Sequence, residues 1–466
     1  MALRALLAQQ MAMEVTQHNV SNANTAGYHR QEAVMRAALP TEVLNYPSTG
    51  IVGQQGTGVM VDRIKRFSQD FVDVRYRAEV GDAARYKAES QFLKQVESTL
   101  GETGSDGMAT VMDNFFSAWR SVGTNPTDPT VRKDLLEKAQ KLVDAFQGRS
   151  TRLIQLRSDQ NTGILERVDE INKTASQVAR LNAEISRVQS ANNQPNDLLD
   201  ERDQLMDRLS ELSGATYFVE DNGMMNVAIG GHSLVFGTST YNVTTSVDTN
   251  GLVQVGWQDG QAYQGRTGEL YGLIDGRDKT IVDQLSRLDT LANQFATQVN
   301  NVHFNSYNLN NTNHVNFFDP NGGGPITAQT IRLDAAVDAK QGGDYRNISA
   351  ASAASQPGNG NSAVTIANLA KQTYAALNGL TFGGYNSDRV SSLALAVNNA
   401  TGNATGHGNL VDVIGQQRES VAGVNLDEEA ANMAKYQRSY QAAARLMTAV
   451  DEMLDKVING MGLVGR

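Results

Sequence analysis

The side chains able to do chemistry are few and far apart. His18, His29, His232, His303, His314 and His407 are the only imidazoles, and there is no cysteine. No two histidines stand at i, i+4, the spacing that brings two imidazoles to one helix face around a metal. The lack of cysteine removes disulfides, thiolate zinc, iron–sulfur clusters and thiol nucleophiles together. Gly56-Thr57-Gly58 resembles part of a phosphate loop but lacks the third glycine and helix start that form the N–H cradle, so it reads as a turn leading into a strand. Gly231-His232-Ser233 lacks the trailing glycine of a nucleophile elbow and reads as a hairpin turn. Gly322-Gly323-Gly324-Pro325 beside Asp319 lacks the spacing of a calcium loop and reads as a loop. Glu201-Arg202-Asp203 reads as a solvated helix face with local ion pairs. These patterns predict no catalytic residue, no cofactor and no metal.

The elements that would position such residues are mostly helical. Along the last forty residues, Met433, Tyr436, Tyr440, Ala443, Met447, Val450, Leu454, Val457 and Met461 alternate steps of 3 and 4 without a slip. That strict heptad keeps one narrow stripe toward a partner helix. Asn425 is an N-cap and Glu428 its capping-box partner, with Gly460 as a stop. A helix from Leu426 to Asn459 would run about 50 Å. At the other end Leu6, Met13 and Val20 repeat every seven residues, with Leu3, Gln10 and Gln17 as the other half of the seam. No capping residue precedes Ala2, so this helix opens mid-turn, as it would if a few residues came before the present start.

Asp128-Pro129 is a clean helix start. Val131, Leu135, Ala139, Leu142 and Phe146 follow, and after Gly148 the pattern resumes from Ile164 to Val188. A shorter helix carries Leu198 to Leu212 and stops at Ser213-Gly214, and another holds Ile281 to Val302. Helical pattern returns at 363–399 and 410–420. Between Ala215 and Gly268 the period becomes two, with Asp221-Asn222-Gly223 as a hairpin turn. A further strand-like patch is 57–64, and 307–361 is loop by composition. The fold class predicted is mainly α: an elongated antiparallel helical bundle with terminal coiled-coil helices and a small inserted β-domain. Residues 1–24 and 424–466 would form the terminal unit, 25–213 and 269–423 the rod, and 214–268 the β insert.

The chain has 466 residues, enough for two to four domains. Hydrophobic residues make up 40% of it, so it can bury a core. The net charge of −10 argues against a nucleic-acid partner, which needs surplus cations to displace phosphate counterions. The longest charge-free stretch, 290–318, is full of Asn and Gln and would be costly in lipid. The N-terminus does not read as a secretory signal peptide. An uncovered C-terminal stripe would exceed the apolar patch a soluble monomer tolerates. The two ends therefore pair within the chain, bury against neighbouring chains, or both, with neighbours involved.

Asn19-Val20-Ser21-Asn22-Ala23-Asn24-Thr25-Ala26-Gly27-Tyr28 resembles the N-terminal signature of the bacterial flagellar rod, hook and hook-associated axial proteins, with Ala26 where that pattern usually has proline. Gly423 to Ala430, with Tyr436-Gln437 and Tyr440-Gln441-Ala442, is similar to the matching C-terminal signature. Phe115-Phe116-Ser117-Ala118-Trp119, Asn125-Pro126, Val131-Arg132, the 197–205 run, Gly268 to Leu273 and Asn305 to Asn310 resemble the hook-associated members in particular. The resemblance implies a structural, non-enzymatic part of the junction between hook and filament, exported by the flagellar type III apparatus. It implies partners: copies of itself, hook protein, a second hook-associated junction protein, and an export chaperone on the C-terminal helix, with no membrane or nucleic acid. It implies an extracellular place in the flagellum after a transient cytoplasmic stage. The assembly interface expected is Leu6, Met13, Val20, Asn22, Asn24, Gly27, Tyr28, Asn425, Leu426, Met433, Tyr436, Tyr440, Met447, Val450, Leu454 and Val457. Other readings are another axial protein, such as hook protein, which would lack the long helical middle, or the second junction protein; a secreted enzyme on an axial scaffold; or a cytoplasmic coiled-coil scaffold.

Overall fold

The longest helices, Pro129–Ser190, Phe382–Ala422 and Leu426–Gly460, each start at a side-chain cap: Asp128, Thr381 and Asn425. The computed structural model describes residues 1–40, 56–101, 104, 106–249, 251–320 and 323–460; Gly322 and Met461, named above, lie outside them. In chain order the elements are α1 (Ala2–Ser21), β1 (Gln31–Ala37), β2 (Val59–Arg66), α2 (Asp70–Leu100), α3 (Met108–Thr124), α4 (Pro129–Ser190), α5 (Asn196–Ser213), β3 (Thr216–Val219), β4 (Met225–Ile229), β5 (His232–Phe236), β6 (Ser239–Thr240), β7 (Val243–Val247), β8 (Val253–Trp257), α6 (Gly268–Asp275), α7 (Ile281–Phe304), β9 (Phe318–Pro320), β10 (Ile331–Leu333), α8 (Asn361–Asn368), α9 (Phe382–Ala422) and α10 (Leu426–Gly460). The fold is mainly α, with small antiparallel sheets: β1-β2, β3-β4-β5-β6, β7-β8 and β10-β9.

Helix α4 is the spine. Asp128 caps it by accepting the Thr130 N–H at 2.7 Å, and Pro129 fills the first position. It runs unbroken for 62 residues, about 93 Å at 1.5 Å per residue. The break expected after Gly148 does not occur. Phe146 on one side and Leu153 on the other are both buried in one core, and that packing outweighs the roughly 1 kcal/mol helix cost of a glycine. The first half of α4 joins α3, α7, the start of α9 and the 317–369 segment in the larger core. Its second half joins α5, α6 and the β3–β8 strands in a second core.

The segment 307–361 has little regular structure, as its composition predicts, yet Phe317, Phe318, Ile331, Val337 and Ile348 are buried in the larger core. Phe115 and Trp119 of α3 stack around Phe317, with centroids at 5.9 and 5.2 Å. Arg132 clamps this segment by donating to the carbonyls of Pro126 (2.6 Å) and Ile348 (2.7 Å).

Other helices also depart from the sequence expectation: the pattern at 363–399 is split between α8 and the start of α9. The gap expected at 400–409 is closed, because that stretch of α9 packs antiparallel on α2. Ser90 and Thr401 hydroxyls lie 2.8 Å apart, His407 Nδ1 is 2.9 Å from Glu79 Oε2, and the His407 ring stacks on Tyr86. Helix α2 itself was not expected. Between 73 and 88 its buried residues are Asp73, Arg77, Gly81, Ala84 and Ala88, charged or small, so hydropathy marks only its end, where Phe92, Leu93, Val96 and Leu100 are buried.

Candidate assembly interface

The terminal unit is built from α1, α10 and the β1-β2 hairpin. Ala12 and Val15 of α1 pack on Ala33 of the hairpin, with Tyr436 of α10 against the same cluster. This corrects the expected α1 seam. Ala8, Ala12, Val15 and Asn19 are the buried stripe, while Leu3, Gln10 and Gln17 are exposed. Leu6 and Met13 are half-buried.

Asn19 fixes the register of the pair. Its side chain is buried, accepts from Tyr28 OH (2.8 Å) and the Gln31 N–H (2.9 Å), and donates to the Gln31 carbonyl (2.8 Å) and Glu429 Oε2 (3.1 Å). Burial, with the carboxylates of Asp197, Asp200 and Glu429 nearby, pushes the Tyr28 phenol well above its usual range, so it stays a donor. Arg30 holds Glu429 at 2.8 Å and Glu428 at 3.1 Å. Asn425 caps α10 as predicted, accepting from the N–H groups of Asp427 (3.0 Å) and Glu428 (3.3 Å). The Glu428 carboxylate, however, pairs with Arg30.

The 197–205 run meets this unit from α5. Gln204 donates to the Ala26 carbonyl at 2.6 Å. Gly27 holds φ at +73°, and a Cβ there would lie 2.5 Å from Gln204 Nε2, so position 27 needs glycine on both counts. The expectation of a solvated 201–203 face is corrected. Arg202 is buried and donates to the Gly223 carbonyl at 2.6 Å; its burial lowers the guanidinium to about 10. Asp203 belongs to an alternating ladder of charges. His29 Nδ1 lies 2.8 Å from Asp200, which pairs with Arg66 (2.6 Å). Arg66 pairs with Asp203 (2.6 Å), and Asp203 with Arg77 (2.9 Å). Arg77 pairs with Asp207 (2.6 Å), Asp207 with Arg418 (2.6 Å), and Arg418 with Asp73 (2.6 Å). The ladder ties the hairpin, α2, α5 and the end of α9 at the root of the terminal pair. Sequence reading missed it, although Asp200, Asp203 and Asp207 at i, i+3, i+7 share one helix face.

The expected interface residues fall into three groups. Asn22 caps the end of α1 through the His18 carbonyl at 3.0 Å, Asn24 is exposed in the turn after it, and Gly27, Tyr28 and Asn425 are joint residues as described. Met433, Tyr436, Tyr440 and Met447 are half-buried along α10. Val20 and Leu426 are exposed at the joint, and Val450, Leu454 and Val457 are exposed at 37%, 49% and 55% on the far end of α10. Elsewhere, His303 is buried between the Val315 carbonyl (2.7 Å) and the Ser349 N–H (2.9 Å). His232 stacks on Trp257 and lies 3.1 Å from Asp259. Gly230 and Gly231 turn β4 into β5 as the hairpin reading predicts. Asp319 pairs with Arg332 at 2.8 Å. Among the described residues no group of three or more His, Asp or Glu could hold a metal ion, and no helix is long and apolar enough to cross a membrane.

Comparison with known proteins gives this geometry a context. The family model described as flagellar hook-associated protein FlgK helical domain matches residues 93–318. The one described as flagellar basal body rod FlgEFG protein C-terminal matches 416–460. Flagellar hook-associated protein 1 of Bacillus subtilis (strain 168) is 30% identical over 508 residues, covering 100% of this chain and 98% of that protein. Flagellar hook-associated protein 1 of Escherichia coli (strain K12) is 27% identical, covering 98% of each. The solved structure of the flagellar hook junction protein FlgK from Burkholderia pseudomallei matches with a TM-score of 0.65 at 17% identity, over 75% of this chain and 100% of that one; at that identity it bears on the fold.

Proposed function

The chain belongs to the flagellar hook-associated protein 1 family, and on that premise we propose that it is a structural adaptor joining the hook to the filament, polymerising through its terminal helices. The observation that carries the reading is the uncovered end of α10. Met453 is 58% exposed beside Val450, Leu454 and Val457, an apolar stripe wide enough to need a partner in an assembled state. A fully buried side chain of this kind contributes roughly 1.5–3 kcal/mol, and four per subunit, repeated around an assembly, make the contact cooperative. The partners proposed are other copies of the chain, hook protein, and a second junction protein. In the cytoplasm, an export chaperone covers the same stripe before type III export to the outside of the cell. The distant ladder and the two cores hold the body rigid, and no catalytic role is proposed for them.

The experiment is complementation of a strain lacking the gene with a chain truncated before Leu426. The expected result is a hook without filament, and a secreted or purified subunit whose helical body still melts cooperatively. Filaments of normal number on the truncated protein would refute the proposal.

A further inference from the structure

α1 and α10 differ in length, and the difference leaves two surfaces exposed at one end. The pair is antiparallel with Asn19 beside Glu429, so the start of α1 lies opposite about residue 446. The remainder of α10, roughly 20 Å at 1.5 Å per residue, overruns it. On that overrun Val450, Met453, Leu454 and Val457 share a face, with Asp451 and Asp455 along one margin. At the same end α1 exposes Leu3, Leu7 and Met11, spaced i, i+4, i+8. That face is roughly 110° around the helix from Ala12, Val15 and Asn19, where Tyr436 and Glu429 of α10 pack. Between it and the hairpin lies an apolar groove of about 590 Å³, lined by Leu7, Met11, Leu39, Val59 and Met60. Arg4 and Arg36 also line it; Arg36 pairs with Asp62, whereas Arg4 reaches the Thr57 carbonyl at 3.5 Å.

We propose that this groove receives the free end of α10 from a second copy of the chain, with Arg4 against the Asp451–Asp455 margin. The chain's own α10 is excluded as occupant, because it is a continuous helix that lies on another face of α1 and leads past its start. A second copy matches the groove in both respects on the page, an apolar face and an acidic edge facing a cation. The contact is heterologous: each chain offers a groove to one neighbour and a helix end to another, which builds rings or helices. Placing residue 453 beside Leu7, itself opposite about residue 441, staggers neighbours by about 18 Å along the helix axis. The inference rests on the reading that the terminal helices polymerise.

The chain has no native cysteine, so engineered thiols report without background. Met60→Cys and Leu454→Cys, both at partly exposed positions, are made in separate full-length chains, mixed, assembled and oxidised, and each sample is also imaged for assembly. The expected result is a disulfide-linked pair of twice 50.4 kDa that needs both variants. Arg4→Glu slows assembly about tenfold, and Asp451→Arg in the same chain restores it. Assembly without the cross-link, or with equal yield from a control pair of Leu454→Cys and Phe236→Cys, overturns the groove assignment and leaves the polymerisation reading standing. A Met60→Cys/Leu454→Cys double variant that cross-links only within one chain overturns it too. No assembly of the unmodified chain under any condition overturns both.

Discussion

Arg77→Met is the sharpest perturbation of the joint that holds the terminal pair. Arg77 is 3% exposed and lies 2.9 Å from Asp203 and 2.6 Å from Asp207, with its guanidinium 4.5 Å from the centre of the Tyr217 ring. The substitution keeps much of the volume but leaves two carboxylates sharing the remaining cations, Arg66 and Arg418. Removing one partner of a buried ion pair costs about 3–5 kcal/mol, and the lost ring contact adds about 0.5–2 kcal/mol. Urea unfolding followed by far-UV circular dichroism measures the sum. Adding Asp203→Asn removes the charge left uncompensated and recovers about 1–2 kcal/mol. A pH series gives an independent reading. Burial raises the Asp203 carboxyl, but Arg77 and Arg66 outweigh it and hold the group down to about 2, below its usual 3.8. The depressed value means the group's contribution is complete above pH 4 and is lost as pH falls toward 2. At 1.36 kcal/mol per pH unit that is about 2.5 kcal/mol. Arg77→Met flattens this acid slope. A cost under about 1 kcal/mol with the slope unchanged would refute the view that the ladder holds the joint.

The other predictions concern separate parts of the chain. Burial, only partly offset by the Val315 carbonyl, holds His303 down to about 4 against 6.5; its contribution is full above pH 6.5 and lost as pH falls to 4, about 3 kcal/mol, and His303→Gln should remove that slope from a pH series of melts. Gly27→Ala forces a side chain into φ +73° and against Gln204; it should cost about 1–3 kcal/mol in thermal unfolding, and adding Gln204→Ala should recover only the steric part. Leu454→Asp changes a half-exposed position, so the free subunit should lose less than about 0.5 kcal/mol, while swimming and filament attachment fail; normal motility would count against the interface.

Much of the architecture is legible in hydropathy alone. The α10 stripe from Met433 to Val457, the Asp128-Pro129 start of α4 and the Asn222-Gly223 hairpin all follow from period, cap and turn chemistry. What hydropathy does not reveal is burial achieved by small or charged side chains. The first two-thirds of α2 packs mainly through Gly81, Ala84 and Ala88 and through Asp73 and Arg77, and α1 packs largely through Ala8 and Ala12; none of these makes a strong apolar stripe. The seam of α1 was expected through Leu3 and Gln10 because larger residues weigh more in a heptad count than the alanines that face the hairpin. The ladder illustrates the same limit. Asp203 looks solvated until Arg66 and Arg77, far away in sequence, are brought beside it. Glycines mislead in the other direction, since 400–409 stays helical where neighbouring pairs such as His407 and Glu79 hold it.

The most direct measurement is thiol labelling of Val457→Cys in an otherwise cysteine-free chain, compared between the free subunit and the assembled junction. The account predicts rapid labelling of the free subunit, where Val457 is 55% exposed, and labelling at least about tenfold slower after assembly, when neighbouring chains cover that face. Equal rates in the two states would contradict it.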